Sequence, residues 1–354
     1  MASTTALALA RDQLSQLCRA SADARTLRLE ALALLRRVIG FDAYVWLMTD
    51  PATSVGSAPL ADVPCLPELP RLIRLKYLTT VNRWTTLTTP VASLRQATGG
   101  DLARSLVWRE LLREYQIGDI ATAVHRDRFG CWAFLDLWRA EGASPFAAEE
   151  LGFLHSIAGP LGTALRRSQA AAFAAGRSGE PVSAGPVVLL LSPALEVRAQ
   201  TPQTQRYLRL LVPPEAAGQA PVPAGAYNVA AQLLAREAGV DANPPRARVH
   251  LGGGHWLTLH AARMDSAQPG TERDIAVSIE VTAPGDRISL FARACGLSSR
   301  EAELLDQVAT GASTRDIARA MFVSENTVQD HLKSIFAKTG TRTRQTLLAR
   351  VLGR

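Results

Sequence analysis

The chain has 354 residues, enough for two or three domains, and a formal net charge of +7. Its four cysteines, Cys18, Cys65, Cys131 and Cys295, lie far apart with no CxxC pair, so neither a zinc site nor a disulfide framework is indicated and free thiols in a reducing compartment are expected. The opening "MASTTALALA" has no basic region and too short an apolar run for a signal peptide, and "PVVLLL" at 186 is strand-length; a soluble, cytoplasmic protein with no membrane partner is expected.

In residues 1–170, "ARTLRLEALALLRRVIGF" has apolar residues at helical spacing and stops at Gly40, after which "AYVWLMT" reads as a strand. A long helical middle follows. "DIATAVHRDRFGCWAFLDLWR" then reads as two strands around an Asp-Arg-Phe-Gly turn. The second is apolar on both faces, as a strand is when helices cover its sheet or the sheet closes over a cavity. Ser144 is placed as the cap and Pro145 as the opening residue of a final helix, with Phe146, Leu151, Leu154, Ile157, Leu161 and Leu165 as its stripe. This order resembles a GAF domain, a sensor fold with a small-molecule cavity on one face of its sheet. Trp46, Trp84, Trp132, Phe134 and Trp138 are numerous for one domain, and two readings stay open: they line a ligand cavity, or they pack a plain core. Nothing supplies metal ligands or a phosphate loop, so no cofactor is expected and any ligand should be small and apolar or aromatic.

Residues 171–185 mix Ala, Gly, Ser and Pro and read as a linker. In residues 186–284, "VVLLLSPALEVRAQT" gives two strands joined by a Ser-Pro turn and "PQTQRYLRLL" a short helix. "AYNVAAQLLAREA" gives a second helix beyond a Pro/Ala-rich stretch. Three strands follow, "RARVHL", "HWLTLHAARM" and "RDIAVSIEVT", with "GGGH" joining the first two instead of opening a helix as a phosphate loop must. Two strands, helices and three strands resemble a PAS domain, without a cofactor signature.

Residues 290–354 have a different rhythm. Ser298 with Glu301 is a capping box ahead of Ala302, Leu305, Val308 and Ala309, and "TGAS" ends that helix at Gly311. Ser313 with Asp316 starts a helix of two turns bearing Ile317, Ala318 and Met321. Ser324 then caps a longer helix, closed by Gly340, in which Val328, Leu332, Ile335 and Phe336 share one face and Asn326, Asp330, Lys333 and Ala337 the other. Thr343 caps a fourth helix bearing Leu347, Leu348 and Val351. A short helix, a tight turn and a longer helix with a polar outer face make a helix-turn-helix. From Leu297 onward nine Lys or Arg stand against six Asp or Glu, and no acid follows Asp330. That bias suits a phosphate backbone, whereas a merely solvated face mixes its signs.

These residues resemble the LuxR-type DNA-binding domain: "LSSREAELL", "GASTRDIARAMFVSENTVQDHL" and "IFAKTGTRTR" follow its motifs in order and spacing. The resemblance implies that the helix over 324–339 enters the major groove, that Ser313, Thr314, Ser324, Thr327 and Lys338 hold phosphates, and that Gln329, Asp330 and Lys333 face bases. Arg315 and Asn326 belong to the same surface. Leu347, Leu348 and Val351 would join two subunits. Asp330 has two readings: its carboxylate accepts from a cytosine amine, or it pairs with Lys333 or Ser334 one turn on and reads nothing. His331 lies toward the packed side and reads as structural.

The expected fold class is α+β multidomain: GAF-like and PAS-like α/β sensor domains followed by an all-α four-helix LuxR-type helix-turn-helix domain. The expected function is a DNA-binding transcriptional regulator modulated by its sensor domains, with double-stranded DNA, a second copy of the chain and RNA polymerase as partners. It is not expected to be an enzyme, and no catalytic or metal residues are assigned. His125 and Cys131 flank one turn without an orienting acid or oxyanion hole, and Asp50 lacks the acidic pair of a phosphoacceptor site. The competing reading is a ligand-binding or enzymatic sensor module whose last domain serves only oligomerisation.

Overall fold

The computed structural model describes residues 4–20, 23–174, 186–210, 223–251, 254–265 and 273–353; most of the expected linker, the Pro/Ala-rich stretch and half of "GGGH" lie outside them. The chain divides into two compact units. The first comprises Met1–Leu165, Ser183–Val249 and Thr258–Glu280, and the second Arg166–Val182, His250–Leu257 and Val281–Arg354.

The first unit opens with helices α1 (Thr4–Ala20) and α2 (Ala24–Val38), the latter capped by Asp23, whose carboxylate accepts from the Thr26 amide. Strands β1 (Ala43–Thr49), β2 (Gly56–Asp62), β3 (Val91–Ser93), β4 (Ile117–Asp127) and β5 (Gly130–Ala140) form an antiparallel sheet in the order β2-β1-β5-β4-β3. The helical middle is α3 (Leu69–Leu78), α4 (Leu94–Ala97) and α5 (Leu106–Glu110), and α6 (Ala148–Ala171) follows β5. A second sheet joins β6 (Val188–Leu191), β7 (Val197–Gln200), β8 (Arg246–His250), β9 (Trp256–Arg263) and β10 (Ile275–Val281) in the order β7-β6-β10-β9-β8. Between β7 and β8 come α7 (Thr204–Leu210) and α8 (Ala224–Glu237). Counted from its own first strand, each sheet runs 2-1-5-4-3, so one topology appears twice with no repeat visible in the residues.

The start of α6 differs from expectation. Ser144 does not cap it: the helix begins at Ala148, and the Ser144 and Pro145 carbonyls instead accept from the Arg139 guanidinium at 3.0 and 3.1 Å. Glu150 accepts from the Ala147 amide at 2.8 Å and holds Arg139 at 2.8 Å, so a buried ion pair organises the turn that a serine was expected to organise.

Within the first unit the two sheets are tied by charges far apart in sequence. Asp50, at the end of β1, accepts from Arg248 of β8 through Nε at 2.7 Å and Nη2 at 2.7 Å, and from the Arg248 amide at 2.9 Å, with both side chains at most 1% exposed. Arg83 meets Asp241 at 2.7 Å, and the Thr85 hydroxyl donates to the same carboxylate at 2.6 Å. Burial works against the charge on Asp241, yet the bonds from the Asn243 amide, Thr85 and Arg83 outweigh it and hold the carboxyl below its ordinary range. Helix α8 packs on α3 and β2 beside these pairs.

The second unit holds α9 (Pro284–Ala294), α10 (Ser299–Ala309), α11 (Thr314–Ala320), α12 (Glu325–Thr339) and α13 (Arg344–Leu352). Helix α9 was not expected. It packs on α10 and α13, and its Phe291 meets Phe173 edge-on at 5.2 Å while Phe173 stacks on Trp256 at 4.8 Å. Arg287 of α9, buried, donates through Nε to the Val351 carbonyl at 2.6 Å and through Nη1 to the Gly254 carbonyl at 2.9 Å, covering the carbonyl end of α13.

Removing one partner of a buried, hydrogen-bonded pair strands the other. Asp50→Asn should therefore destabilise the first unit by about 3 to 5 kcal/mol in urea melts, and Asp50→Asn with Arg248→Met should recover much of that loss. A single variant as stable as the parent would show that the pair does not hold the two sheets.

Candidate nucleic-acid interface

Four side-chain caps set the helices of the C-terminal segment where the sequence places them. Ser298 and Glu301 form a full capping box; Ser313 accepts from the Asp316 amide, Ser324 from the Thr327 amide, and Thr343 from the Thr346 amide. Gly340 closes α12 with φ +63, the left-handed conformation glycine adopts without steric cost. Val328, Leu332 and Ile335 are buried while Asn326, Gln329, Asp330 and Lys333 are exposed, so the two faces of α12 divide as their spacing requires.

One flank of α12 is fixed by one carboxylate. Glu301 of α10 accepts from the Ser334 hydroxyl at 2.6 Å, from Lys338 Nζ at 2.7 and 2.6 Å, and from the Ser298 amide at 2.6 Å. Its side chain is 4% exposed. Burial alone would raise its pKa; the bonds from Lys338, Ser334 and Ser298 outweigh burial and hold it down at about 2. Lys338, expected to hold a phosphate, thus has its ammonium committed within the domain. The sequence showed Glu301 only as a capping residue.

The remaining expected contacts are distributed as follows. The Thr314 hydroxyl accepts from Arg344 at 2.8 Å, and Arg344 also reaches the Ala312 carbonyl at 3.3 Å, so an arginine outside the expected set braces the start of α11. Ser313 and Ser324 spend their hydroxyls on caps, with Ser324 also 2.9 Å from the Thr327 hydroxyl. Arg315 and Asn326 are exposed. Lys333 donates to Asp330 at 3.0 Å, both about three-quarters exposed, a pairing that is weak in water and readily exchanged. Of the three residues assigned to a subunit contact, Leu347 and Val351 are fully buried in the single chain and only Leu348 is partly exposed. Helix α13 packs on both α9 and α10, which together take up its apolar side.

The five aromatics of the first unit are not gathered into one place. Trp46 lies opposite Leu135, which puts it on the other face of the sheet from Phe134 and Trp138, and it stacks on His125 at 5.6 Å. On the Phe134 face, Trp84 stacks on Phe134 at 5.2 Å and donates to Asp136 at 3.0 Å, while Lys76 pairs with Asp136 at 2.8 Å and lies over the Trp84 ring. Trp132 donates to Asp127 at 2.8 Å. A groove of about 650 Å³ opens elsewhere, between Leu87–Pro90, the end of β4 and Gly159–Pro160, and none of the five lines it.

Residues 296–351 match the family described as bacterial regulatory proteins, luxR family, so the C-terminal segment is a LuxR-type helix-turn-helix domain. The probable csgAB operon transcriptional regulatory protein of Salmonella typhimurium and the CsgBAC operon transcriptional regulatory protein of Escherichia coli are each 46% identical over 48 residues, 14% of this chain and 22% of theirs. The probable HTH-type transcriptional regulator GfsR of Streptomyces halstedii is 34% identical over 95 residues, 26% of this chain and 39% of its own. The chain thus spans between about a fifth and two-fifths of the length of these curated relatives. A solved structure titled "SdiA in complex with octanoyl-rac-glycerol" aligns over 100% of this chain and 97% of its own, at 12% identity and a TM-score of 0.34, too low to bear on fold or ligand.

Glu301 carries a sign-determined pH dependence. Its carboxyl is depressed from 4.5 to about 2 on folding, so its contribution is complete above pH 4.5 and disappears as pH falls toward 2. Acid melts should lose at most about 3 kcal/mol through this group. Glu301→Gln should be destabilised at neutral pH and show a correspondingly flatter acid limb; an acid limb identical to the parent's would exclude the carboxylate as the latch.

Proposed function

We propose that the chain is a transcriptional regulator that binds double-stranded DNA through α11 and α12, with the first unit as its sensor. The observation that carries this is the outward face of α12, Asn326, Gln329, Asp330 and Lys333, exposed on a helix that Glu301 fixes along one flank. A LuxR-type domain match over the same residues supports it. In this reading Gln329, Asp330 and Lys333 reach base edges, while Ser313, Thr314, Arg315, Ser324 and Thr327, at the starts of α11 and α12, hold phosphates. Lys338, already bound to two carboxylate oxygens, contributes least of the expected phosphate set. Two copies meet through a surface that includes Leu348, and RNA polymerase is a further proposed partner. The doubled 2-1-5-4-3 topology supports sensor folds in the first unit, where a small ligand would bind, while the Trp84–Phe134 stack with its buried Lys76–Asp136 pair fits the plain-core reading of the aromatics.

The test of DNA binding is an electrophoretic shift of the full chain against random-sequence duplex at rising salt. Binding with affinity falling steeply in log salt is expected. No shift at low salt would leave the competing reading, in which the last domain serves only oligomerisation.

Asp330 decides how the surface reads. Its exposed bond to Lys333 can be exchanged for a cytosine amine in the major groove, which releases Lys333 to a neighbouring base or phosphate. In binding-site selection, Asp330→Ala should bind non-specific duplex more tightly and lose its preference at one base pair per half-site, worth roughly 1 to 3 kcal/mol. An unchanged selected site would reduce Asp330 to orienting Lys333.

A further inference from the structure

Phe322 is out of place in two independent ways. It lies in the turn between α11 and α12 with φ +56, a left-handed conformation that is an outlier for a bulky residue and that glycine fills without strain. Its amide bonds to the Arg319 carbonyl at 3.3 Å and the Val323 amide to the Ala318 carbonyl at 3.0 Å, the pattern that terminates a helix at such a position. Its ring is also 94% exposed. Met321, 2% exposed, and the half-buried Val323 anchor the turn on either side, so the ring between them is held outward. A strained backbone and an exposed aromatic ring are both unfavourable in the free domain, and at 94% exposure little contact among the described residues offsets either.

We propose that Phe322 is a DNA-contacting residue whose ring packs on the deoxyribose and thymine-methyl edge of the groove wall beside α12. The proposal rests on the DNA-binding reading above. Its place supports it: Ser324, which caps α12, is two residues on, and Arg315 and Arg319 of α11 are exposed nearby in the chain. The surroundings also favour nucleic acid over a protein partner. A protein interface needs a contiguous apolar centre, and among the described residues from 284 to 353 no other large hydrophobic side chain is exposed. A lone ring with polar and charged neighbours in the chain, Arg315, Asp316, Arg319, Ser324, Glu325 and Asn326, fits an edge that is apolar only at the sugar and the thymine methyl.

The test uses the full chain, a duplex selected by the parent protein from a random pool, and the variants Phe322→Gly and Phe322→Tyr. Phe322→Gly should melt no lower than the parent, because it relieves the left-handed strain and removes no packing, yet bind the duplex about tenfold or more weakly. Its salt slope should be unchanged, since a neutral ring displaces no counterion. Phe322→Tyr should bind like the parent. If the parent binds and Phe322→Gly binds equally well, the proposal is overturned, including when transcription in cells is lost, which would assign the ring to a protein partner. If the parent binds no duplex, the DNA-binding reading falls and the proposal with it.

Discussion

An exposed helix face is only as definite as the support beside it, and here that support is the carboxylate of Glu301. It caps the start of one helix by accepting from the Ser298 amide and fixes another by accepting from Ser334 and Lys338, so α10 and α12 share a single buried anion. The apolar side chains Val328, Leu332 and Ile335 hold α12 against the core, but apolar contact is non-directional and does not choose the rotation of a helix about its axis. Directed, charge-assisted bonds do. With Ser334 and Lys338 held on one flank and Val328, Leu332 and Ile335 buried, Gln329, Asp330 and Lys333 are left exposed.

The first unit follows the same rule on a larger scale. Its two sheets are tied by Asp50 with Arg248, and the loops before β3 and β8 by Arg83 with Asp241, pairs so deeply buried that losing either partner strands a charge. In the second unit Arg287 plays a comparable part, its guanidinium joining α9 to the carbonyl end of α13 beside the Phe173–Trp256–Phe291 cluster.

Local signals were legible in the sequence, and long-range ones were not. The caps at Ser298, Ser313, Ser324 and Thr343, and the glycine at 340, act within four residues, and the structure puts each where the sequence does. Ser144 misled because its carbonyl was drawn into the Arg139–Glu150 pair. The partner of Asp50 stands 198 residues away, beyond any pattern in the chain. Trp46 could be placed on the wrong side of the sheet only once the register against Leu135 was known. Helix α9 hid behind Pro284 and Gly285, which read as a boundary although proline suits the first turn of a helix. Its absence from the sequence reading is also why Leu347 and Val351 looked available to a second subunit.

The central claim, that the exposed side of α11 and α12 meets duplex DNA while α10 holds α12 along one flank, is tested most directly by amide hydrogen exchange on the full chain with and without a selected duplex. Slowed exchange concentrated between Ser313 and Lys333, with little change in α10, is the predicted result. Slowing confined to α13 or to the first unit, with α11 and α12 unaffected, would contradict it.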